Sequence, residues 1–510
     1  MTLLADVVSA SRDVTETSSR SAKIAILAQL LRRLEPGEVG VAVGFLAGVP
    51  RQGRVGVGYS TIYGIDRAPA REPSLTIEEL DRAIDEVRAT TGSGSAAARK
   101  RVLGELLGRA TEAEADFVKR LFTGGLRQGA HAGLMVDAIA KAAGVSGTVA
   151  RRALMLSGDL SGTAQLAMTR GEEGLREVGF ELFRPIFPML ASTAEDVAGA
   201  VASFDRSSVE WKLDGIRIQV HRRGDEVRIY TRNLNETTHT LPGIVDAVRR
   251  LPVTQAVFDG EALWMLEEGP AAFQETVSQM DSDAPPEGIV TFLFDVLHLE
   301  GEDLLDTPLE KRAARLEEIA PHLRIPSVVT SDPGAAQQVL DDALRAGHEG
   351  IVVKDARSLY NAGRRGKAWR KVKPVRTYDL VVLGAEWGHG RRQGWLSNLH
   401  LGARDPRTGE FLMVGKTFKG MTDELLDWQT KELLARETGR EGIAVLVRPE
   451  LVVEIALDGV QSSTRYPGGV ALRFARVKRY RPDKSAEETD AIDDLRALRA
   501  GPSSPTGSMT

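Results

Sequence analysis

The sequence predicts a chain of three parts: an all-α region, then an α+β core, then a small β-barrel. Three observations predict it. Apolar residues recur at helical spacing through the first third, strand-like runs begin after the doubly prolyl segment RPIFPML, and short strands follow one another closely after Pro374. The 510 residues agree, since at roughly 150 residues per domain they suggest about three domains.

In the first part, SAKIAILAQLLRRLEPG places Ile24, Leu27, Leu30, Leu31 and Leu34 on one helical stripe, with Pro36 and Gly37 expected to end it. Thr76 is the expected cap of IEELDRAIDEVRA and Thr111 of EAEADFVKRLF; HAGLMVDAIAKAAG continues the pattern, and GSGSAAA from Gly92 to Ala98 reads as a flexible break. The second part carries the strand-like runs VEWKLDG, IRIQVHR, EVRIYTRN, AVFDGEAL, IVTFLFDVLHL and GIVVKD. The third carries YDLVVLGAEW, LSNLHLGAR, FLMVGKTF and LVVEIALDGV, at the spacing of a small barrel. The expected boundaries are 1–178, 179–376 and 377–494, with 495–510, rich in Pro, Ser and Gly, a disordered tail.

Composition limits the chemistry. The absence of cysteine excludes disulfides, thiolate zinc sites, iron-sulfur clusters and cysteine nucleophiles. No stretch approaches a membrane span and the N-terminus lacks a basic targeting region, so a soluble, cytoplasmic protein with no membrane partner is expected. The net charge of −5 does not argue against a nucleic-acid partner, because phosphate binding depends on where the cations lie. Between Ala356 and Tyr378 stand eight basic residues and no acid; from Val470 to Lys484 stand six against Asp483 alone. Most charge runs are solvated faces. Here Trp369 and Val372, and Leu472, Phe474, Val477 and Tyr480, alternate with the cations as in half-buried strands.

Glu210-Trp211-Lys212-Leu213-Asp214-Gly215-Ile216-Arg217 is the most informative stretch. On a strand, Glu210 and Lys212 share a face, and Asp214-Gly215 turns into the next strand. Lys212 alone would read as an exposed strand-end charge. As a nucleophile it would need to shed its proton near neutral pH from an ordinary pKa of about 10.4, helped by a dry pocket and neighbouring cations; Arg217, Lys371 and Lys373 are the candidates. Asp259-Gly260-Glu261 and His348-Glu349-Gly350 set carboxylates beside glycines next to apolar strands, which suits hard-cation binding near phosphate, though either alone is a common turn. Phe294 reads as core before it reads as a base-stacking platform. Gly415-Lys416-Thr417 lacks the glycine that a Walker phosphate loop requires, which falls at Glu410.

The ordered set is specific: Lys212-x-Asp214-Gly215-x-Arg217, Arg232, Asp259-Gly260-Glu261, Phe294-Asp295, Glu349 to Lys354, Lys371-Val372-Lys373, and Arg481-Pro482-Asp483-Lys484. It resembles the motif series of the covalent nucleotidyltransferases, and with LFTGGLRQGA, RPIFPMLA and LRFARVKRYRPDK it resembles the bacterial three-domain ATP-dependent DNA ligases over nearly the whole chain. The resemblance implies a helical DNA-binding domain, an ATP-grasp-like nucleotidyltransferase core and an OB-fold barrel. It implies that Lys212 takes AMP from ATP, passes it to the 5′-phosphate of a nick in duplex DNA, and that the 3′-hydroxyl then seals the strand. It places Arg217, Lys371 and Lys373 on the phosphates, Arg232 and Glu261 near the ribose, Phe294 and Glu210 at the adenine, and Arg365 in the nucleotide site. Glu261 and Glu349, assisted by Asp214, are the implied Mg2+ ligands. Arg481, Asp483 and Lys484 would orient pyrophosphate in the first step through domain rotation, and Arg127 would contact a DNA phosphate. The enzyme would act as a monomer.

RNA ligases and mRNA capping enzymes share the lysine chemistry, but the helical N-terminal third favours DNA. An NAD-dependent DNA ligase would need a cysteine zinc module, a non-catalytic DNA-binding scaffold predicts loss of Lys212 or the glutamates, and a generic α/β nucleotide-binding protein needs a glycine-rich phosphate loop.

Overall fold

The computed structural model describes all residues except 54, 56, 127–130, 267–268, 272–275, 277–287, 362–364, 375 and 499–510. The described chain divides into two compact units. One comprises Met1–Leu340 with Ile351–Val372, the other Asp341–Gly350 with Lys373 onward.

The first unit opens with helices. Leu27, Leu30 and Leu31 of Arg20–Arg33 are buried, and that helix packs on Ala132–Ala143. Thr76 and Thr111 cap their helices as expected: each hydroxyl accepts from the N–H three residues on, while Glu79 and Glu114 reach back to the cap N–H. Such a cap contributes about 1 kcal/mol. Pro36 does not end the preceding helix but starts the next, Pro36–Ala47, where its missing N–H costs nothing. Nor is Gly92–Ala98 a loose break throughout: helix Ser95–Arg109 begins inside it, because Gly92 and Gly94 take positive φ and leave the alanines free to coil.

The helical run ends at Arg176, and the prolyl junction leads into two sheets. One sheet orders its strands as Leu190–Thr193, Arg365–Val372, Gly350–Asp355, Ser207–Lys212 and Ser327–Thr330, with the first two parallel. The other runs Glu226–Thr231, Ile216–Arg223, Gln255–Leu266, Ile289–Leu299 and Glu302–Asp303, all antiparallel. Ile186 and Met189 of the junction share one buried cluster with Met155 and Leu156 of the helices and Val257, Leu297, Tyr360 and Trp369 of the sheets.

His221 fastens this junction. Its Nδ1 accepts the Phe183 N–H at 3.0 Å, and its Nε2 lies 2.8 Å from Gln219 Oε1, so the ring stands neutral with its proton on Nε2. Burial, with His298 nearby, lowers its pKa to about 3. Between pH 6.5 and 3 the unfolded chain takes up a proton that the folded chain refuses, so this contribution to stability is complete above pH 6.5 and declines as pH falls. Unfolding measured by denaturant at pH 6.5 and 4.5 is expected to show His221→Gln losing roughly 2–3 kcal/mol less than the wild type over that interval.

In the second unit, antiparallel strands order as Phe411–Thr417, Leu396–Arg404, Arg376–Trp387, Ala444–Val447 and Glu437–Glu441. Val452–Leu457 joins Arg376–Trp387 on one side and Arg476–Tyr480 on the other. The sheet curls over Leu380, Val382, Leu399, Leu401, Val453 and Ile455. The expected barrel is thus a half-barrel among the described residues, since the outer strands Phe411–Thr417 and Glu437–Glu441 do not pair with each other. Two expectations are corrected. Leu495, placed at the start of a disordered tail, is fully buried in helix Ile492–Ala497. Phe474, read as half-buried in a strand, is exposed at φ +53° between Val470–Arg473 and Arg476–Tyr480.

Candidate active site

Lys212 ends the strand Ser207–Lys212, whose first four residues are buried and whose last two are only partly covered. Its Nζ donates to the Leu213 carbonyl at 3.2 Å. The chain then turns through Asp214 and Gly215 into Ile216–Arg223. Gly215 lies so close to the neighbouring strand that a Cβ there would collide with the Ala262 carbonyl oxygen and stand 2.8 Å from Leu263 Cγ. The turn therefore requires glycine for close approach, and this approach brings it against Glu261.

Glu261 lies opposite Arg217 in the antiparallel pairing. Asp259-Gly260-Glu261 is not a turn, as its sequence permitted, but the middle of the long strand Gln255–Leu266. Desolvation raises the Glu261 carboxyl to about 7, against the opposite pull of Lys212 and Arg217. The Lys212 ammonium, the Glu261 carboxylate and the Arg217 guanidinium thus interact electrostatically.

Arg217 is not the open cation expected beside phosphates. Its Nε and Nη2 donate to the two oxygens of buried Asp259 at 2.9 and 2.6 Å, and Tyr360 donates to the same carboxylate at 2.6 Å. Burial works to lower the Arg217 pKa, but Asp259 more than offsets it and the value is raised. The guanidinium lies 5.2 Å from the Phe294 ring centroid and 5.6 Å from that of Trp369.

Phe294 is neither simple core nor an open platform. The pairing of Ile289–Leu299 with Gln255–Leu266 slips between Asp259 and Gly260, which leaves Phe294 as the extra residue of a bulge, half-buried, edge-on to Trp369 at 6.2 Å. Bulges re-aim side chains in this way. Lys354 sits over both rings, 4.5 Å from Phe294 and 4.3 Å from Trp369, and forms a buried ion pair with Glu210. Burial raises the Glu210 carboxyl despite Lys354. Lys354 closes the motif Glu349 to Lys354 in the sequence, which assigns it no role of its own.

Of the other expected residues in this unit, Lys371 pairs through its backbone with Val352 and Thr193, and its carbonyl accepts the Ala194 N–H at 3.0 Å. Arg365 pairs through its backbone with Leu190. Arg232 is exposed in the turn after Glu226–Thr231. Arg127 lies outside the described residues.

The second unit holds the rest. Glu349 precedes Gly350–Asp355 and forms an ion pair with Lys373 at 2.7 Å, while Asp458 stands 3.8 Å from the same ammonium. Arg481 and Lys484 both contact Asp379, and Arg481 also contacts Asp483.

No group of three or more His, Asp or Glu poised for a metal occurs among the described residues. Glu261 nonetheless fits magnesium, which commonly takes one or two carboxylates and completes its shell with nucleotide phosphates and water. A carboxyl held near neutral pKa by desolvation gains most from an incoming cation. No helix among the described residues is long and apolar enough to cross a membrane.

Residues 188–373 match a family model described as "ATP dependent DNA ligase domain", 392–484 one described as "ATP dependent DNA ligase C terminal region", and 64–140 one described as "DNA ligase N terminus". The chain is 55% identical over 501 residues to a "Probable DNA ligase" of Saccharopolyspora erythraea, covering 98% of each. It is 53% identical over 502 residues to one of Rhodococcus jostii, covering 98% of this chain and all of that one. The solved structure named "Pmar-Lig_Pre." has a TM-score of 0.62 at 18% identity, covering 93% of this chain and 99% of that one, and so shares its fold.

Proposed function

Because this chain belongs to the ATP-dependent DNA ligase family, we propose that it seals nicks in duplex DNA through an AMP carried covalently on Lys212. The observation that carries the reading is the packing of the Lys212–Gly215 turn against Glu261. That packing holds a lysine at a strand end beside a carboxylate that also feels Arg217, itself fixed by Asp259.

In the first step the Lys212 Nζ, having lost a proton, attacks the α-phosphorus of ATP; a P–N bond forms, the P–O bond to the β-phosphate breaks and pyrophosphate leaves. A 5′-phosphate oxygen of the nick then attacks the same phosphorus and Lys212 departs. Finally the 3′-hydroxyl attacks the 5′-phosphate and AMP leaves. Each attack gathers negative charge on phosphoryl oxygens, which cations stabilise. Lys371 and Lys373 serve that role directly, and Arg217, held by Asp259, adds its charge to the phosphate site. Glu210 and Phe294 hold the adenine side, Arg232 and Glu261 the ribose, and Arg365 completes the nucleotide site. Arg481, Asp483 and Lys484 act in the first step on pyrophosphate. Glu261 and Glu349 would hold Mg2+, which when bound neutralises charge on the phosphates.

The helical region, 1–178, and the half-barrel region, 377–494, contact sugar and phosphate, since a sealing enzyme must accept any sequence. A cytoplasmic monomer that closes the nicks left by replication, repair and recombination is the setting proposed.

The test is incubation with ATP labelled at the α-phosphate and a divalent metal, followed by denaturing electrophoresis. The wild type is expected to take the label, to lose it to a nicked DNA duplex and to keep it with nicked RNA. No label on folded, metal-supplied protein that is not already adenylated would refute the reading.

A further inference from the structure

Asp379, in the strand Arg376–Trp387, gathers the two cations of the last motif. Arg481 Nη1 donates to its two oxygens at 3.3 and 3.0 Å, and Lys484 Nζ donates to Oδ2 at 2.6 Å. The main chain around the anchor is also tied down: the Asp379 N–H donates to Asp490 Oδ2 at 2.6 Å, the Asp490 N–H returns to the Asp379 carbonyl at 2.9 Å, and the Arg481 N–H donates to the Val452 carbonyl at 2.8 Å. The other edge of the Arg481 guanidinium, Nε and Nη2, is held by Asp483 at 2.7 to 3.2 Å.

The two carboxylates differ in accessibility. The Asp379 side chain is 9% exposed and that of Asp483 60%. An incoming phosphate can compete with a solvated carboxylate for the Nε/Nη2 edge, whereas displacing the buried one would strip it of one of its two cations. Asp379 also touches Arg481 through one nitrogen only, so the planar fork stays available for bidentate phosphate binding. We infer that Asp379 is a positioning residue for the first step: it anchors Arg481 and Lys484 from the buried side so that their outward donors meet pyrophosphate already aligned, while Asp483 yields its place to the phosphate. The inference rests on the ligase reading above and extends it to a residue outside the motif.

Long flexible cations that lose such an anchor are misplaced by an ångström or more, which can cost about 100-fold in rate. Asp379→Asn is therefore expected to form lysyl-AMP about 100-fold more slowly than the wild type, with the loss in kcat rather than in KM for ATP. Sealing of a nick that already carries AMP, which bypasses the first step, should stay within a few-fold of the wild-type rate. Asp379→Glu keeps the charge and the fold but shifts the anchor by one methylene, so it should show a smaller loss confined to the same step, and it serves if the asparagine variant does not fold. Asp490→Asn loosens the same strand without touching the carboxylate and should leave the ratio of the two rates unchanged. Equal losses in both steps for Asp379→Asn and Asp379→Glu, or no loss in either, would overturn the inference. Failure of the wild type itself to take label would instead overturn the ligase reading.

Discussion

Lys212→Ala is expected to take up no AMP from ATP, a loss of at least about 10⁴-fold in the first step, since in the proposed mechanism Lys212 forms the covalent bond and no other nucleophile replaces it. Lys212→Arg separates the two properties that a lysine brings. Its guanidinium keeps the charge but stays protonated at any pH of interest and has no lone pair to offer, so it should be as inactive as alanine in forming the adenylate. The two variants should part company on a nick already joined to AMP. There the reacting groups belong to the DNA, and residue 212 acts only as a cation near Glu261, whose carboxyl Lys212 pulls toward the charged form. Lys212→Arg should then seal faster than Lys212→Ala. Equal label on wild type and Lys212→Ala would move the nucleophile elsewhere and remove the basis of the mechanism.

The parts of this site that could be read from the sequence are those whose chemistry is adjacent along the chain. Lys212, Asp214 and Gly215 occupy a strand end and the turn beyond it, so the residue types announce the local shape. Three-part architecture was legible for a similar reason, since a change of apolar period from helical to alternating needs no knowledge of tertiary contacts. Partnership was not legible. Arg217 finds Asp259 across 42 residues and Asp259 finds Tyr360 across 101, and nothing near Arg217 says that its charge is committed inward. The partners of Lys354 were hidden by burial on both faces of Gly350–Asp355, where alternation carries no signal. Pro36 was misplaced because a proline that stops one helix and a proline that starts another look alike without the cap at Glu35. Leu495 was lost to composition: the Pro/Ser/Gly tail begins close behind a turn of helix whose apolar residues are buried.

Asp295, the residue after Phe294, shows what that hidden partnership is worth. Arg312 is fully buried and its Nε and Nη2 donate to the two Asp295 oxygens at 2.7 and 3.0 Å, while its Nη1 reaches the Thr307 and Ser358 carbonyls. Arg312 also feels Asp259 and Tyr360, so the pair borders the network that fixes Arg217. Burial works to lower the Arg312 pKa, yet Asp295 raises it, and a guanidinium cannot escape an uncompensated site by losing its proton. Asp295→Ala therefore leaves a full charge in the interior and is expected to destabilise the first unit by about 3–5 kcal/mol, read as an earlier denaturant transition in tryptophan fluorescence. Removing both charges should be milder. In Asp295→Leu/Arg312→Met no buried ion remains, and replacing such a pair by apolar side chains of similar size is often neutral for stability. The double variant should thus recover most of the loss, leaving the carbonyls at Thr307 and Ser358 and the Val296 N–H, which donates to Asp295 Oδ1 at 3.0 Å, without those partners. If Asp295→Ala alone costs under about 1 kcal/mol, the pair does not hold the core together, and the first unit owes its stability to apolar packing instead.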